Sequence, residues 1–257
     1  MTIYMQTAAR PVKEAPITEA ERKARIELAA AYRIFDMLGW SLLIFNHITL
    51  RVAGPEPRFL INPFGLHYSE ITASSLLLVD LEGNVLRESR WPMNRAGFVI
   101  HSALHESQPE AHCIMHTHTT TGMAVACLKD GLSPHNFYGA MLQGQVAYHD
   151  FEGITVEPGE KERLVRDIGD KRAVILRNHG LLAWGPSVSQ AFLTLWTLQQ
   201  ACDVQIAAAS AGPIHPVTPQ AIAISVRESG QGEKRTCEDV FAALRRKLDS
   251  IDPSYRE

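Results

Sequence analysis

Cysteine is scarce and scattered. Cys113, Cys127, Cys202 and Cys237 are the whole complement, and no two form a C-x-x-C pair. Such spacing argues against a disulfide framework and a cysteine zinc site, and points to free thiols in a reducing cytoplasm. Long hydrophobic runs are missing too. Nothing approaches the roughly 18 apolar residues of a membrane span, and the opening MTIYMQTAARPVKEAP has no apolar core of signal-peptide length. Nor is there an excess of charge of one sign: 25 Lys and Arg stand against 28 Asp and Glu, a net of −3. That balance offers no bulk basic field for nucleic acid and no acidic interaction tail. No internal repeat or low-complexity block interrupts the chain. What remains, with 46% apolar and 21% charged residues over 257 positions, is a globular protein able to bury a substantial core.

Three segments are expected: a loose N-terminal arm (1–16), a main domain (17–212) and a C-terminal tail with one helix near 236–249 (213–257). Thr18 and Glu21 form a capping-box signature ahead of a helical stripe that Gly39 stops. Short β-rich runs follow at 47–52, 58–62 and 76–80, with another short strand after the Gly83-Asn84 turn. Residues 97–107 read as a helix, 112–116 as a buried strand, and a helix starts near Thr119. A helix over 158–169 precedes strands at 173–178 and 181–185, then a long apolar helix over 187–211. Several strand connections are too short for helical crossovers, so the fold expected is α/β, a mixed and largely antiparallel sheet covered by helices.

Histidine is abundant, with eleven in the chain. His116-Thr117-His118 follows a short β-run, and residues at i and i+2 on a strand share a face. Neutral imidazoles suit zinc, iron, cobalt and manganese. His179, at the exit of a buried strand and before the turn residue Gly180, could supply a third ligand. His101 and His105 form a competing i, i+4 pair. Without a Glu suitably placed between them, a helix-face role suits them better than a shared metal.

Five ordered segments then resemble the class II aldolase/adducin family: FNHITLRV, INPFGLHYSEIT, VDLEGNV, HESQPEAHCIMHTHTTTGMAV and RNHGLLAWG. The resemblance spans about residues 20–212. It implies an α/β/α three-layer sandwich and one divalent metal ion (Zn, Fe, Mn or Co) held by His116, His118 and His179. It also implies a homotetramer or another closed homo-oligomer, since sugar-phosphate aldolases of the family assemble that way. The departures are equally informative. The family's P-S-S-E segment, with two phosphate-binding serines and an acid/base Glu, is matched by Arg95, Ala96 and Gly97. Its T-P-S-G phosphate loop becomes Asn62-Pro63-Phe64-Gly65, and its G-N-I-S loop becomes Asn46-His47-Ile48-Thr49.

Three imidazoles leave the metal's positive charge uncompensated, which favours an anionic chelating partner in the open positions. The first expectation is therefore a metal-dependent lyase, by aldol-type C–C cleavage or decarboxylation, on a small non-phosphorylated hydroxy or keto carboxylate. Arg95, Asn62, Phe64 and Gly65 are the candidate substrate-binding residues, with Arg95 as a carboxylate fork. Tyr148 and His47 are the candidate proton carriers, and His149 is a further one. Two alternatives stand beside this: a three-histidine Fe(II) oxygenase of an aromatic keto or hydroxy acid, and a non-catalytic scaffold resembling adducin. No nucleic acid or membrane partner is expected.

Overall fold

The computed structural model describes residues 16–153, 159–230 and 233–257, with the side chains of Arg95, Ala96 and Glu233 excepted. Nearly all of the N-terminal arm expected at 1–16 lies outside them. Helix α1 (Glu19–Met37) opens on the expected cap, with Thr18 Oγ1 accepting the Glu21 amide, and buries Leu28, Ile34 and Phe35. Strands β1 (His47–Val52), β2 (Arg58–Ile61) and β3 (Leu77–Val79) form an antiparallel meander. The strand expected after Gly83 is a single bridge between Val79 and Val85, because the preceding turn leaves only one residue in register. Helix α2 (Arg95–Ser107) leads into β4 (Cys113–Thr117), which crosses back to pair with β1. Then come α3 (Thr120–Ala126), α4 (Phe137–Met141), β5 (Val146–His149) and α5 (Glu160–Ile168). The β6 (Ala173–Leu176) and β7 (Gly180–Gly185) hairpin precedes α6 (Val188–Ala211).

The sheet has seven strands in the order β3-β2-β1-β4-β7-β6-β5, antiparallel throughout except between β5 and β6. Helices cover both faces. On one, α1 and α6 bury Ile48, Leu50, Cys113, Met115, Leu181 and Ala183. On the other, α2 and α5 cover Ile114, Val174, Leu182 and Trp184. Strand alternation sends every second residue to each face. In β6 and β7 both faces are apolar, so these strands read as unbroken hydrophobic runs, whereas β1 alternates and sends His47, Thr49 and Arg51 to the α2 face.

The segment after Gly212 holds two long helices where one was expected: α7 (Pro219–Ser229) and α8 (Glu233–Ile251). Helix α7 buries no residue, so its sequence lacks the apolar stripe that would have announced it. Helix α8 packs Phe241 against Phe192 of α6 (centroids 5.7 Å apart) and delivers Leu248 to the main core. The following turn adds Tyr255, which is fully buried. Much of the apolar girth of α6, including Phe192, Leu195 and Leu198, is therefore covered within the chain. Among the described residues, no helix is long and apolar enough to cross a membrane.

Candidate metal centre

His116 lies on β4 with its side chain on the α2 face, opposite Leu182 of β7 and His47 of β1. His118 is just past the strand end. His179 is carried by the β6–β7 turn, where Asn178 adopts a left-handed φ of 57°. Gly180 is required there by closeness. A Cβ on it would lie 2.3 Å from the Thr117 carbonyl oxygen and 3.1–3.2 Å from the rings of His118 and His116. The glycine lets the turn settle onto the histidine strand.

The three rings converge. Their centroids are 4.4–4.9 Å apart, and one nitrogen from each lies within 4.8 Å of the others. His116 Nδ1 donates to the Leu181 carbonyl at 2.8 Å, which fixes Nε2 as a lone pair. That nitrogen is only 2.7 Å from His118 Nε2. All three rings resist protonation. Burial is the main cause, with repulsion from neighbouring imidazolium adding to it for His116 and His118, and His118 is pushed down to about 4. Three neutral imidazoles, one with its second nitrogen fixed on a backbone carbonyl, are the donor set that divalent transition metals take. The residues fit the ion that the resemblance implies.

Beside the trio, α2 lays one residue per turn over β1: Gly97, His101 and His105 face His47, Thr49 and Arg51. The Thr49 hydroxyl sits between His101 Nδ1 and His105 Nε2, at 2.8 Å from each, and His105 Nδ1 donates to Ala111 O at 2.7 Å. The i, i+4 histidine pair thus grips a threonine across the helix face. His47 is 4% exposed, and its ring lies 4.3 Å from that of His101 and 5.4 Å from that of His116. A Cβ on Gly97 would come within 2.4–2.5 Å of the His47 ring, so that ring fills the room a side chain at 97 would need. Burial, then the charge of a protonated His118, drive the His47 pKa down to about 3.

The other expected site residues are spread more widely. The Tyr148 hydroxyl accepts the Leu132 amide at 3.0 Å and its ring lies under the Arg177 guanidinium, so it braces the 131–132 loop. His149, on the opposite face of β5, has Nδ1 2.9 Å from Asp167 Oδ2. Asn62 is buried around the Tyr32 hydroxyl, 2.9 Å from its Oδ1, and so serves the sheet interior. Phe64 is half-buried with its ring 6.4 Å from Phe45, an exposed aromatic that the sequence reading missed. Gly65 takes a φ of 115° against the Trp91 ring. Arg95 is the first residue of α2, immediately after the cap Asn94; its side chain is outside the described set. Thr49 was also missed as a participant, for a hydroxyl in a β-branched run carries no signal of the two rings it will meet.

Residues 26–206 match the family described as Class II Aldolase and Adducin N-terminal domain. The chain belongs to that family, and the fold is its α/β sandwich. A crystal structure of an aldolase II superfamily protein from Pseudomonas syringae superposes with a TM-score of 0.91 at 41% identity, covering 94% of this chain and 98% of the other. An L-fuculose 1-phosphate aldolase from Glaciozyma antarctica gives 0.81 at 30% identity, over 96% and 97% of the two chains. Alpha-adducin of Rattus norvegicus is 46% identical over 198 residues, which is 76% of this chain and 27% of that much longer protein.

Proposed function

We propose that this protein is a divalent-metal-dependent lyase, cleaving or decarboxylating a small non-phosphorylated hydroxy or keto carboxylate. The observation that carries this reading is the convergence of the His116, His118 and His179 nitrogens within 4.8 Å. A bound cation would supply Lewis-acid polarisation of the substrate's chelating oxygens. Three neutral ligands leave that cation its full charge, which favours a carboxylate. Arg95, at the amide-rich first turn of α2, is suited to clasp the far anionic end. Phe64 and Phe45 supply an apolar wall for the middle of the substrate. Phe137, which is 74% exposed, is a surface suited to the homotetramer that the family resemblance implies.

The Glaciozyma relative favours a second reading, cleavage of a phosphorylated aldol. Two features oppose it. Residues 95 and 96 have no hydroxyls for phosphate, and Gly97 has neither a carboxylate nor room for one beside His47. Lack of a placed acid/base costs roughly 10²–10⁴ in rate. The adducin likeness favours a third, non-catalytic role.

Elemental analysis of protein purified without a metal-affinity tag, followed by calorimetric titration with keto and hydroxy carboxylates, separates them. The lyase reading expects one zinc, manganese or cobalt per chain and carboxylate binding that weakens about tenfold or more in Arg95→Ala, less in Arg95→Lys, as loss of a charged hydrogen-bonding fork does. Iron would redirect the reading to an oxygenase, and a metal-free native protein to a scaffold. Rapid turnover of fuculose or ribulose phosphate would overturn the choice of substrate class.

A further inference from the structure

The buried surface of α6 is mostly apolar, yet it carries two glutamines, Gln199 and Gln205, at 2% and 8% exposure. A buried amide is costly unless its polar atoms are paired, so the partners show what each residue does. Gln205 holds a loop: its Oε1 accepts the Ser133 amide at 2.8 Å and its Nε2 donates to the Gly131 carbonyl at 3.0 Å. Gln199 holds the other end of the same excursion, where the chain leaves β4. The Thr119 hydroxyl is 2.6 Å from Gln199 Oε1, and Gln199 Nε2 is 2.8 Å from Thr121 Oγ1 and 2.7 Å from Asp203 Oδ1.

The hydrogens of this network have one arrangement. The Asp203 carboxylate accepts, so it takes one hydrogen from the Gln199 amide and one from the Thr121 hydroxyl, while Gln200 Nε2 reaches its other oxygen at 3.3 Å. Thr121, its hydrogen committed, accepts the second amide hydrogen of Gln199. The amide is thereby oriented with its oxygen toward Thr119, and the Thr119 hydroxyl donates to it. Thr119 is the N-cap of α3, where a threonine commonly accepts an amide of the first turn, yet its side chain makes no such bond. Its hydroxyl serves α6 instead of its own helix.

The residue before Thr119 is His118. The pairing of β4 with β7 ends at Thr117 and Leu181, so His118 has no strand partner. The His116 ring is fixed by its own bond to the Leu181 carbonyl, whereas the only hydrogen-bond contact of the His118 ring among the described residues is with His116. His118 is therefore aimed by its backbone, held by the sheet on one side and by Thr119 on the other. We propose that Gln199 is a positioning residue of the metal centre: oriented by Asp203, it grips the Thr119 hydroxyl and so sets where His118 leaves the sheet. This inference rests on the metal-site reading, and it makes metal affinity depend on a helix that carries no ligand.

The test measures zinc affinity of the full-length protein by competition with a chelator, the visible spectrum of its cobalt form, which reads ligand geometry, and urea unfolding. Thr119→Val keeps shape and removes the hydroxyl; Gln199→Leu removes the amide. Each should weaken zinc binding about 10–100-fold, as loss of outer-shell support does, and shift the bands of the cobalt-saturated protein. Thr119→Ser keeps the hydroxyl and should restore both readings. Gln205→Leu is the matched control, the same amide on the same helix holding a loop that carries no ligand. It should lose comparable stability and leave zinc affinity and the cobalt spectrum as in wild type. Unchanged zinc affinity in either Thr119→Val or Gln199→Leu, no rescue by serine, or an equal loss in Gln205→Leu overturns the proposal. Failure of wild type to take up zinc or cobalt overturns the metal-site reading and the role given to Gln199 with it, whereas variants that match a metal-binding wild type overturn that role alone.

Discussion

Two sets of three histidines lie on the same face of the sheet, and they differ in what their nitrogens face. His116, His118 and His179 stand at strand ends and in a turn, with one nitrogen each converging on a common space. His47, His101 and His105 lie where α2 covers β1, at 4%, 0% and 2% exposure, and those of their nitrogens that have partners meet a threonine hydroxyl and a backbone carbonyl. Burial suppresses protonation in both sets. Convergence alone distinguishes a site for a cation from an internal polar network. The sharpest way to break this contrast is to remove one ring from each set. His118→Ala should weaken zinc binding by more than the roughly 10–100-fold that outer-shell substitutions cost. His101→Ala should leave zinc bound and instead cost about 2 kcal/mol or more in stability, having opened a cavity and removed one of the Thr49 hydroxyl's two partners. Metal titration and urea unfolding on both variants check this; equal zinc loss in the two would erase the distinction.

The two sets meet at Gly97, which sharpens the comparison. Its missing Cβ is what admits the His47 ring, so Gly97→Ala should overpack the junction and destabilise by about 1–3 kcal/mol. Removing the obstacle as well, in Gly97→Ala/His47→Ala, should recover part of that loss, since the two residues compete for one volume. A double-mutant cycle measures the coupling. Strictly additive effects would mean that the ring and the glycine do not constrain each other.

The two sets were also unequally legible in the sequence. The H-x-H strand and the N-H-G turn are local signals, from period-2 alternation and a turn glycine, and they made His179 a candidate; its joining His116 and His118 was what the family resemblance implied, and the three rings lie together. The order of strands and helices was readable for the same reason. The second network was not. His101 and His105 could be assigned to one helix face, but that β1 would present a hydroxyl between them depends on β1 pairing with β4 across 60-odd residues of chain. Tyr148 and Asn62 were picked for their chemistry, and the structure shows their polar atoms engaged with the Leu132 amide and the Tyr32 hydroxyl. Helix α7 was invisible because it buries nothing, so no apolar period marks it.

The smallest expected effect separates the sets by pH. His105 is more than two residues from each of His116, His118 and His179 and has no ring contact with them. Its ring stacks on Phe59 at 4.1 Å, and Arg51, whose guanidinium donates to the His105 carbonyl, adds a repulsive charge to the burial that lowers its pKa to about 3. In the unfolded chain the same ring titrates near its ordinary value of about 6.5. With the folded pKa the lower of the two, the stabilisation is intact above about pH 6.5 and is lost as pH falls toward 3, because the unfolded state takes up a proton that the folded state refuses. One such group removes about 1 kcal/mol between pH 6.5 and 5.5. This interval lies above the range where the lowered carboxyl of Glu21 begins to contribute. Other buried histidines act in the same direction, so the measurement is a difference. Urea unfolding of the metal-free wild type and of His105→Gln is compared at pH 7.5, 6.5 and 5.5. The amide can still donate to Ala111 O and accept from Thr49, but it does not titrate. Wild type should lose about 1 kcal/mol more than the variant over the lower interval. Parallel losses would mean that His105 takes up its proton as readily in the folded chain as in the unfolded one, and that the α2 network is open to protonation in a way its burial does not allow.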